Sequence, residues 1–283
     1  MELTAAEIRR AVRAALAEDL GRGDVTTLAT VPPAAQSVAL MRTREPLVVA
    51  GLAFAEAAFR QLSPKIKIEK CFRDGQRAKP GEILLKISGS SRALLSAERV
   101  ALNFIQRLSG VATATAQFAD TVRGTKARIL DTRKTTPGWR RFEKYAVAAG
   151  GGKNHRVGLF DLVLIKDNHL VALQNEKPNA IATAVARARK KFPKLKVEVE
   201  ADTLEQVAQA ADAGADIILL DNMTTAQLRQ AVKIVRGRAQ TEASGGVNLK
   251  TVRKIAETGV DFISVGAITH SARAVDIGLD FEN

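Results

Sequence analysis

Two neighbouring segments, residues 131–145 and 150–156, hold the densest group of side chains that could do chemistry. Cations there stand beside hydroxyls and three consecutive glycines. Arginine offers a bidentate fork to carboxylates and phosphates, lysine offers a point charge, and glycine exposes backbone N–H groups. These types predict a site for a small polyanion, although a surface loop with solvated charges is the alternative. The candidate contacts are Thr132, Arg133, Lys134, His155 and Arg156.

Only three histidines occur in the chain, His155, His169 and His270. A single histidine is more often a structural residue than a catalyst. The neighbouring Arg156 favours a binding role for His155. We expect His169 to hydrogen-bond locally, and His270 is left open between the two roles.

Three acids, Glu198, Glu200 and Asp221, lie on or directly after apolar segments. Such carboxylates are seldom left unpaired in a core. Glu198 and Glu200 are two residues apart in a strand and therefore point to the same side, with Glu200 nearer the strand end. These three acids therefore need a metal, a cation or a ligand hydroxyl, and one or two carboxylates together with phosphate oxygens are the usual ligands of Mg²⁺. Internal salt bridges to lysine or arginine are the alternative.

Two glycine-containing segments near the C-terminus predict phosphate contacts through backbone N–H groups, as is frequent in the last loops of α/β barrels. The alternative is that their glycines serve only as turn residues. The segments are Ser244-Gly245-Gly246 and Val265-Gly266-Ala267. No nucleotide P-loop is present, because Gly152-Lys153 is followed by asparagine, and no Gly-x-Gly-x-x-Gly follows a strand. The absence of Gly-x-Ser-x-Gly weakens a hydrolase interpretation.

The elements that position these residues alternate between apolar strands and amphipathic helices. Strands are predicted near residues 127–130, 161–165, 195–200, 215–220, 239–243 and 261–265. A polar residue or a glycine follows each of these strands. Lys166, for example, follows the second strand. This arrangement favours a ring of loops around one mouth, hence a TIM-like α/β barrel rather than a doubly wound sheet.

The first hundred residues lack this strict alternation and predict a separate α+β layer. Helices are expected over residues 7–18 and 96–118, and strands over 37–41, 65–71 and 82–87. Alternating apolar residues near the C-terminus predict a further strand that returns to this layer. The predicted domains are therefore 1–110, joined by the tail 269–283, and a barrel over 111–268.

Composition fits a folded protein with an anionic ligand. The 283 residues carry 43 Lys+Arg against 30 Asp+Glu, a net charge of +13. A polyanion, a phosphorylated ligand or nucleic acid is consistent with this charge, but aromatic residues at 4% leave few rings for base stacking. A single cysteine, Cys71, and the lack of a secretory signal or a long apolar run predict a cytoplasmic protein without a membrane span.

Taken together, motifs along nearly the whole chain resemble quinolinate phosphoribosyltransferase, the decarboxylating nicotinate-nucleotide pyrophosphorylase. They include Glu18-Asp-Leu-Gly-Arg-Gly-Asp24-Val-Thr-Thr, Glu98-Arg99-Val-Ala-Leu-Asn, Leu108-Ser-Gly110, Asp131-Thr-Arg-Lys-Thr, Glu143-Lys-Tyr145, His155-Arg156, Leu164-Ile-Lys-Asp-Asn-His169, Leu219-Leu-Asp-Asn222, Ala243-Ser-Gly-Gly and Ser264-Val-Gly-Ala.

The resemblance implies an N-terminal open α+β sandwich and an irregular α/β barrel of about seven strands. It also implies a homodimer, with assembly into larger oligomers left open. The implied reaction joins quinolinate to phosphoribosyl pyrophosphate with Mg²⁺, and yields nicotinate mononucleotide, pyrophosphate and CO₂ in de novo NAD biosynthesis.

The resemblance further assigns roles to single residues. Arg99 would complete the neighbouring subunit's site, and Arg133, His155 and Arg156 would hold the two quinolinate carboxylates. The catalytic set would be Lys134, Lys166, Glu200 and Asp221, with the lysines on carboxylate or phosphate and the acids on ribose hydroxyls or Mg²⁺. The Ser244 and Gly266 loops would bind the 5′-phosphate. Two alternatives are a paralogous phosphoribosyltransferase of the same fold acting on another acid, and a basic nucleic-acid-binding protein.

Overall fold

The computed structural model describes residues 1–282. The described chain packs as two compact units, one of residues 1–116, 141–151 and 271–282 and one of residues 117–140 and 152–270. Residues 141–151 thus belong to the first unit, a difference from the single boundary expected near residue 110. The domain limits 1–110 and 111–268 stay a prediction.

The elements up to the long helix are α1 (Ala5–Leu20), α2 (Val25–Thr30), β1 (Gln36–Thr43), β2 (Leu47–Val48), α3 (Leu52–Leu62), β3 (Lys67–Lys70), β4 (Arg77–Ala78), β5 (Ile83–Ser90) and α4 (Ser91–Thr121). Those that follow are β6 (Arg128–Leu130), α5 (Arg140–Ala149), β7 (Val163–Ile165), α6 (Asp167–Val171), α7 (Ala180–Lys191), β8 (Val197–Ala201), α8 (Leu204–Asp212), β9 (Ile217–Asp221), α9 (Thr225–Val235), β10 (Gln240–Ser244), α10 (Val252–Ala256), β11 (Phe262–Ser264), α11 (Ala267–His270) and β12 (Ile277–Phe281).

The first unit contains an antiparallel sheet in the order β12-β1-β5-β3. The strand predicted for the C-terminal tail is present as β12, and Leu279 pairs with Met41 of β1. Met41, Leu85 and Ile87 lie on one face of this sheet and Leu40 and Leu84 on the other, and all five are buried. The pair β2 and β4 has two residues in each strand, too short for an alternation pattern to predict.

Asp24 and Tyr145, which belong to two of the quoted motifs, form hydrogen bonds that stabilise the first unit. Asp24 caps α2 by accepting from the Thr27 N–H at 2.9 Å, and it also accepts from the Ser96 hydroxyl at 2.9 Å. Tyr145 donates at 2.5 Å to Asp74, whose carboxylate accepts from the first N–H groups of α3. Burial, and then the charge of Asp74, raise the pKa of Tyr145, so its hydroxyl stays a donor at physiological pH.

The second unit is built on a parallel sheet in the order β6-β11-β10-β9-β8-β7. Each of its six strands lies within two residues of its predicted bounds, because strands covered by helices are continuous apolar runs. A parallel bridge from Leu130 to Lys153 adds a further strand position beside β6. The predicted α/β barrel is confirmed.

Two helices of this unit begin at threonine caps that are visible in the sequence. Thr203 and Thr224 form capping boxes at the starts of α8 and α9, with their hydroxyls accepting from the N–H groups of Gln206 and Gln227. Short βα loops therefore hold the ends of the strands at one face. Within residues 1–282, no helix is both long and apolar enough to cross a membrane.

Candidate active site

A cavity of about 680 Å³ opens at the C-terminal ends of the barrel strands. Every predicted site residue of the barrel lines it: Thr132, Arg133, Lys134, His155, Arg156, Lys166, Glu200, Asp221, Ser244, Gly245, Gly246, Val265, Gly266 and Ala267. The residues that the sequence reasoning did not propose for the site are Leu164, Asp167, Leu219, Asn222, Glu242, Val247, Ser264 and His270. Parallel strands bring their carboxyl ends together, which is why residues as far apart in the chain as Thr132 and His270 meet here.

One part of the cavity wall is cationic, and the described residues do not supply a hydrogen-bond acceptor for every donor in it. The Nε atom of Arg133 is buried and has no hydrogen-bond partner within residues 1–282. Burial, and then repulsion from Arg133, lower the pKa of Arg156, as expected for two guanidinium groups held side by side. A buried guanidinium nitrogen without an acceptor is costly, so this wall is suited to an anion.

The loop that carries His155 is anchored by a buried acid. Asp131 accepts from the backbone N–H of His155 at 2.8 Å and from the Asn154 amide at 2.7 Å. The Nδ1 atom of His155 in turn accepts from the backbone N–H of Arg156 at 2.7 Å. Because a neutral imidazole has one donor and one acceptor nitrogen, its proton lies on Nε2.

The Nε2 atom of His155 faces two buried carboxyl groups. Glu198 Oε2 lies 2.9 Å from it and Glu242 Oε2 lies 3.5 Å from it. The shorter contact is within ion-pair distance, but its angle is not that of a hydrogen bond. Burial, and then the charge of Glu198, raise the pKa of Glu242 to about 8.

The sequence reasoning overlooked Glu242. It shares strand parity with Ser244, which was proposed, just as Glu198 shares parity with Glu200. The position of Glu242 two residues before Ser244, on the same face of β10, was therefore the signal that could have identified it.

A second pair of charges lies nearer the mouth. Lys166 Nζ donates to Glu200 Oε2 at 2.5 Å, and the Asn222 amide donates to Asp221 Oδ2 at 2.7 Å. The alternative of an internal salt bridge is thus realised for Glu200, whereas Glu198 contacts a histidine. Glu200 and Asp221 line the same cavity with oxygen donors, which fits the Mg²⁺ preference for carboxylates, phosphates and water.

The loop after β10 requires glycine. Gly245 has φ of +97°, and a Cβ atom there would lie 2.0 Å from Asn222 Oδ1. Asn222 itself has φ of +52° and follows Asp221 directly. The close approach therefore fixes the loop beside the end of β9 and leaves its backbone exposed.

Spacing alone would also permit a metal at His155, Glu198 and Glu242, whose ligand atoms lie within 4.8 Å of one another. The tautomer of His155 argues against it, because a metal on Nε2 needs the lone pair where the proton lies. The residues predicted for Mg²⁺, Glu200 and Asp221, are not part of this cluster.

Two predicted residues lie elsewhere. Arg99 is exposed on α4 in the first unit and does not line the cavity. His169 makes the local contact expected of it, since its Nδ1 accepts from the Lys166 N–H at 2.9 Å.

A barrel whose C-terminal mouth brings a cationic wall and the carboxylates of Glu200 and Asp221 around one cavity is suited to anionic substrates that carry hydroxyl groups. Comparison with known proteins agrees. Residues 24–109 match the family model for the quinolinate phosphoribosyl transferase N-terminal domain, and residues 111–280 match that for the C-terminal domain.

Similar proteins cover nearly the whole chain. The nicotinate-nucleotide pyrophosphorylase of Mycobacterium leprae is 44% identical over 96% of each chain. The chloroplastic enzyme of Arabidopsis thaliana is 42% identical over 98% of this chain and 83% of its own. The structure of nicotinate-nucleotide pyrophosphorylase from Francisella tularensis superposes with a TM-score of 0.93 at 40% identity, covering 99% of this chain and 98% of that one. The chain belongs to the quinolinate phosphoribosyltransferase family.

Proposed function

We propose that the barrel cavity is where the chain carries out its family's reaction. The protein is a decarboxylating quinolinate phosphoribosyltransferase of NAD biosynthesis. The observation that carries the assignment of the site is the buried, unpartnered Arg133 Nε beside Arg156, in a cavity that also holds Glu200 and Asp221. Cations are thereby available for anionic substrates and carboxylates for hydroxyls and metal.

The acceptor end of the cavity is assigned to Arg133, His155 and Arg156. Quinolinate carries two carboxylates, and the two guanidinium groups can receive them, with the His155 ring packed beside them, without leaving the cations unpaired. Lys134 and Lys166 add positive charge toward carboxylate or phosphate. This arrangement favours a dicarboxylate over a monocarboxylate such as nicotinate.

The donor end is assigned to Glu200, Asp221 and the two glycine loops. The carboxylates are positioned to accept from ribose hydroxyls, and the loops at Ser244–Gly246 and Val265–Ala267 offer backbone N–H groups to the 5′-phosphate. Mg²⁺ held by Glu200, Asp221 and pyrophosphate would neutralise the leaving group.

The residues act mainly by placing charges. Departure of pyrophosphate leaves an oxocarbenium-like ribose, which the pyridine nitrogen attacks at C1. The resulting ring is positively charged and stabilises the carbanion formed when the neighbouring carboxylate leaves as CO₂, and a proton then replaces it. Fixed cations and oriented acids lower the barrier because they need no reorganisation during the reaction.

Arg99 is proposed to complete the site of a partner subunit in a homodimer. Its exposed position on α4, a helix that precedes the barrel strands in the chain, supports this assignment. Arg99→Ala and Arg133→Ala proteins should each be nearly inactive. If subunits exchange randomly at equal amounts, half of the dimers are mixed, and each mixed dimer has one intact site out of two. About a quarter of wild-type activity should therefore return. No recovery despite measured exchange would place the action of Arg99 within its own chain.

A cytoplasmic location stays a prediction from the single cysteine, Cys71.

The site is tested by measuring nicotinate mononucleotide and CO₂ with quinolinate or nicotinate as acceptor. Arg133→Ala and Arg156→Ala should each lower kcat/KM for quinolinate by at least about 100-fold, because a desolvated carboxylate loses its partner. Arg229→Ala, at an exposed position of α9, is the matched control. Near wild-type kinetics in both cavity variants would remove these arginines from the acceptor site.

A further inference from the structure

Glu242 has no part in the scheme above, although it lines the cavity and touches His155. We propose that Glu242 serves as a neutral, protonated carboxyl group in the floor of the acceptor site, beside the buried side chain of Glu198. This inference deepens the proposed function and rests on it for the identity of the acceptor. Its role is to let an anionic substrate settle above His155.

The geometry forces two acids into one small volume. Glu198 is fully buried, Glu242 is 1% exposed, and both approach the same nitrogen of His155. Both oxygens of Glu198 and Oε2 of Glu242 lack a hydrogen-bond partner within residues 1–282. Two ionised carboxylates in this position would repel each other in a medium that solvates neither, so retention of one proton is the lower-energy arrangement.

The surroundings of Glu242 compensate a charge on it only in part. On the adjacent strands β9 and β11, its registered partners are the apolar Leu219 and Phe262. The polar groups that act on it are Glu198 from β8, His155 and Asp131 from the loops near β6, and the Ser264 hydroxyl from β11. Glu198 and Asp131 raise the pKa of Glu242, whereas His155 and the Ser264 hydroxyl lower it. Burial first, then Glu198, raise the pKa of Glu242 to about 8, which leaves it protonated at neutral pH.

The state of His155 assigns the proton to the acid rather than to the ring. Its Nδ1 lone pair is engaged by the Arg156 N–H, so the ring would have to give up that bond to become an imidazolium. On this geometry the imidazole is neutral, and its Nε2 atom lies close to the carboxyl pair without the alignment of a hydrogen bond. A neutral ring above two ionised acids would make the floor doubly negative beneath a dianionic acceptor.

The consequence is a pH limit on acceptor binding. Above about pH 8, loss of the Glu242 proton adds a negative charge under the acceptor, and KM for quinolinate should rise by up to about tenfold per pH unit. Glu242→Gln has nearly the same shape as the protonated acid and cannot ionise. Its KM should change less than about twofold between pH 7 and 9, while Glu205→Gln, an exposed acid on α8, should follow the wild-type curve. Equal alkaline slopes in wild type and Glu242→Gln would overturn the proposal.

A second measurement does not depend on the substrate. The infrared spectrum of the unliganded protein at pH 7 should show the carbonyl stretch of a protonated carboxylic acid that disappears on titration above pH 8. The band should be missing from Glu242→Gln and present in Glu205→Gln. Absence of the band from wild type, or its loss in Glu198→Gln with retention in Glu242→Gln, would refute the assignment. If the band behaves as expected and quinolinate is not turned over, the proposed function fails and the protonation state stands.

Discussion

The pH dependence of stability offers a direct test of the buried acid Glu242. Its pKa in the folded chain is about 8 against an ordinary value of 4.5. Between these values the folded chain holds one proton more than the unfolded chain does. The free energy of unfolding therefore falls as pH rises through this window, and the stabilising effect of the proton is complete only below the lower value.

The size of the effect follows from the width of the window. One pH unit corresponds to slightly more than 1 kcal/mol, so the whole interval is worth roughly 4 to 5 kcal/mol at most. Glu242→Gln cannot titrate, and its stability relative to wild type should increase steadily from pH 5 to pH 8. For a domain of this size, each kcal/mol corresponds to about 2 to 4 °C in Tm.

The assay is thermal or denaturant unfolding at constant ionic strength at pH 5, 6, 7 and 8. The measured quantity is the difference in stability between Glu242→Gln and wild type, and Glu205→Gln serves as the control with a flat difference. A difference for Glu242→Gln that stays constant from pH 5 to pH 8 would show that Glu242 titrates normally and would refute the reasoning.

The remaining predictions concern the first unit. Gly110→Ala should lower stability by about 2 kcal/mol or more, since its Cβ would lie 2.0 Å from the backbone oxygen of Arg273, and this clash outweighs the gain of about 1 kcal/mol in helix propensity. Gln117→Ala at an exposed position of α4 should change unfolding by less than about 0.5 kcal/mol, and an equally small change in Gly110→Ala would contradict the clash. Tyr145→Phe should cost about 1 to 2 kcal/mol by removing a donor from Asp74, and a chemical denaturation curve that overlays wild type would show that bond to be unimportant.

Much of the barrel was predictable because its signals are local. Buried parallel strands are apolar throughout, helices begin at Thr203 and Thr224 with visible capping boxes, and polar residues follow each strand. The C-terminal ends of parallel strands share one face, so Arg133, Glu200 and Asp221 could be placed around one mouth from sequence alone. The short strands β2 and β4 were not predictable, since two residues carry no periodicity.

The sequence by itself determined the alternation of strands and helices, the excess of positive charge and the residue types that meet at the mouth. Only the tertiary structure decided which charges lie within reach of each other. Glu198 and Glu242 stand on different strands 44 positions apart, yet both face one nitrogen of His155, whose proton is assigned by a backbone N–H of the next residue. Electrostatic interactions depend on separation in space and on exclusion of water, and neither quantity is written in the order of residues along a chain.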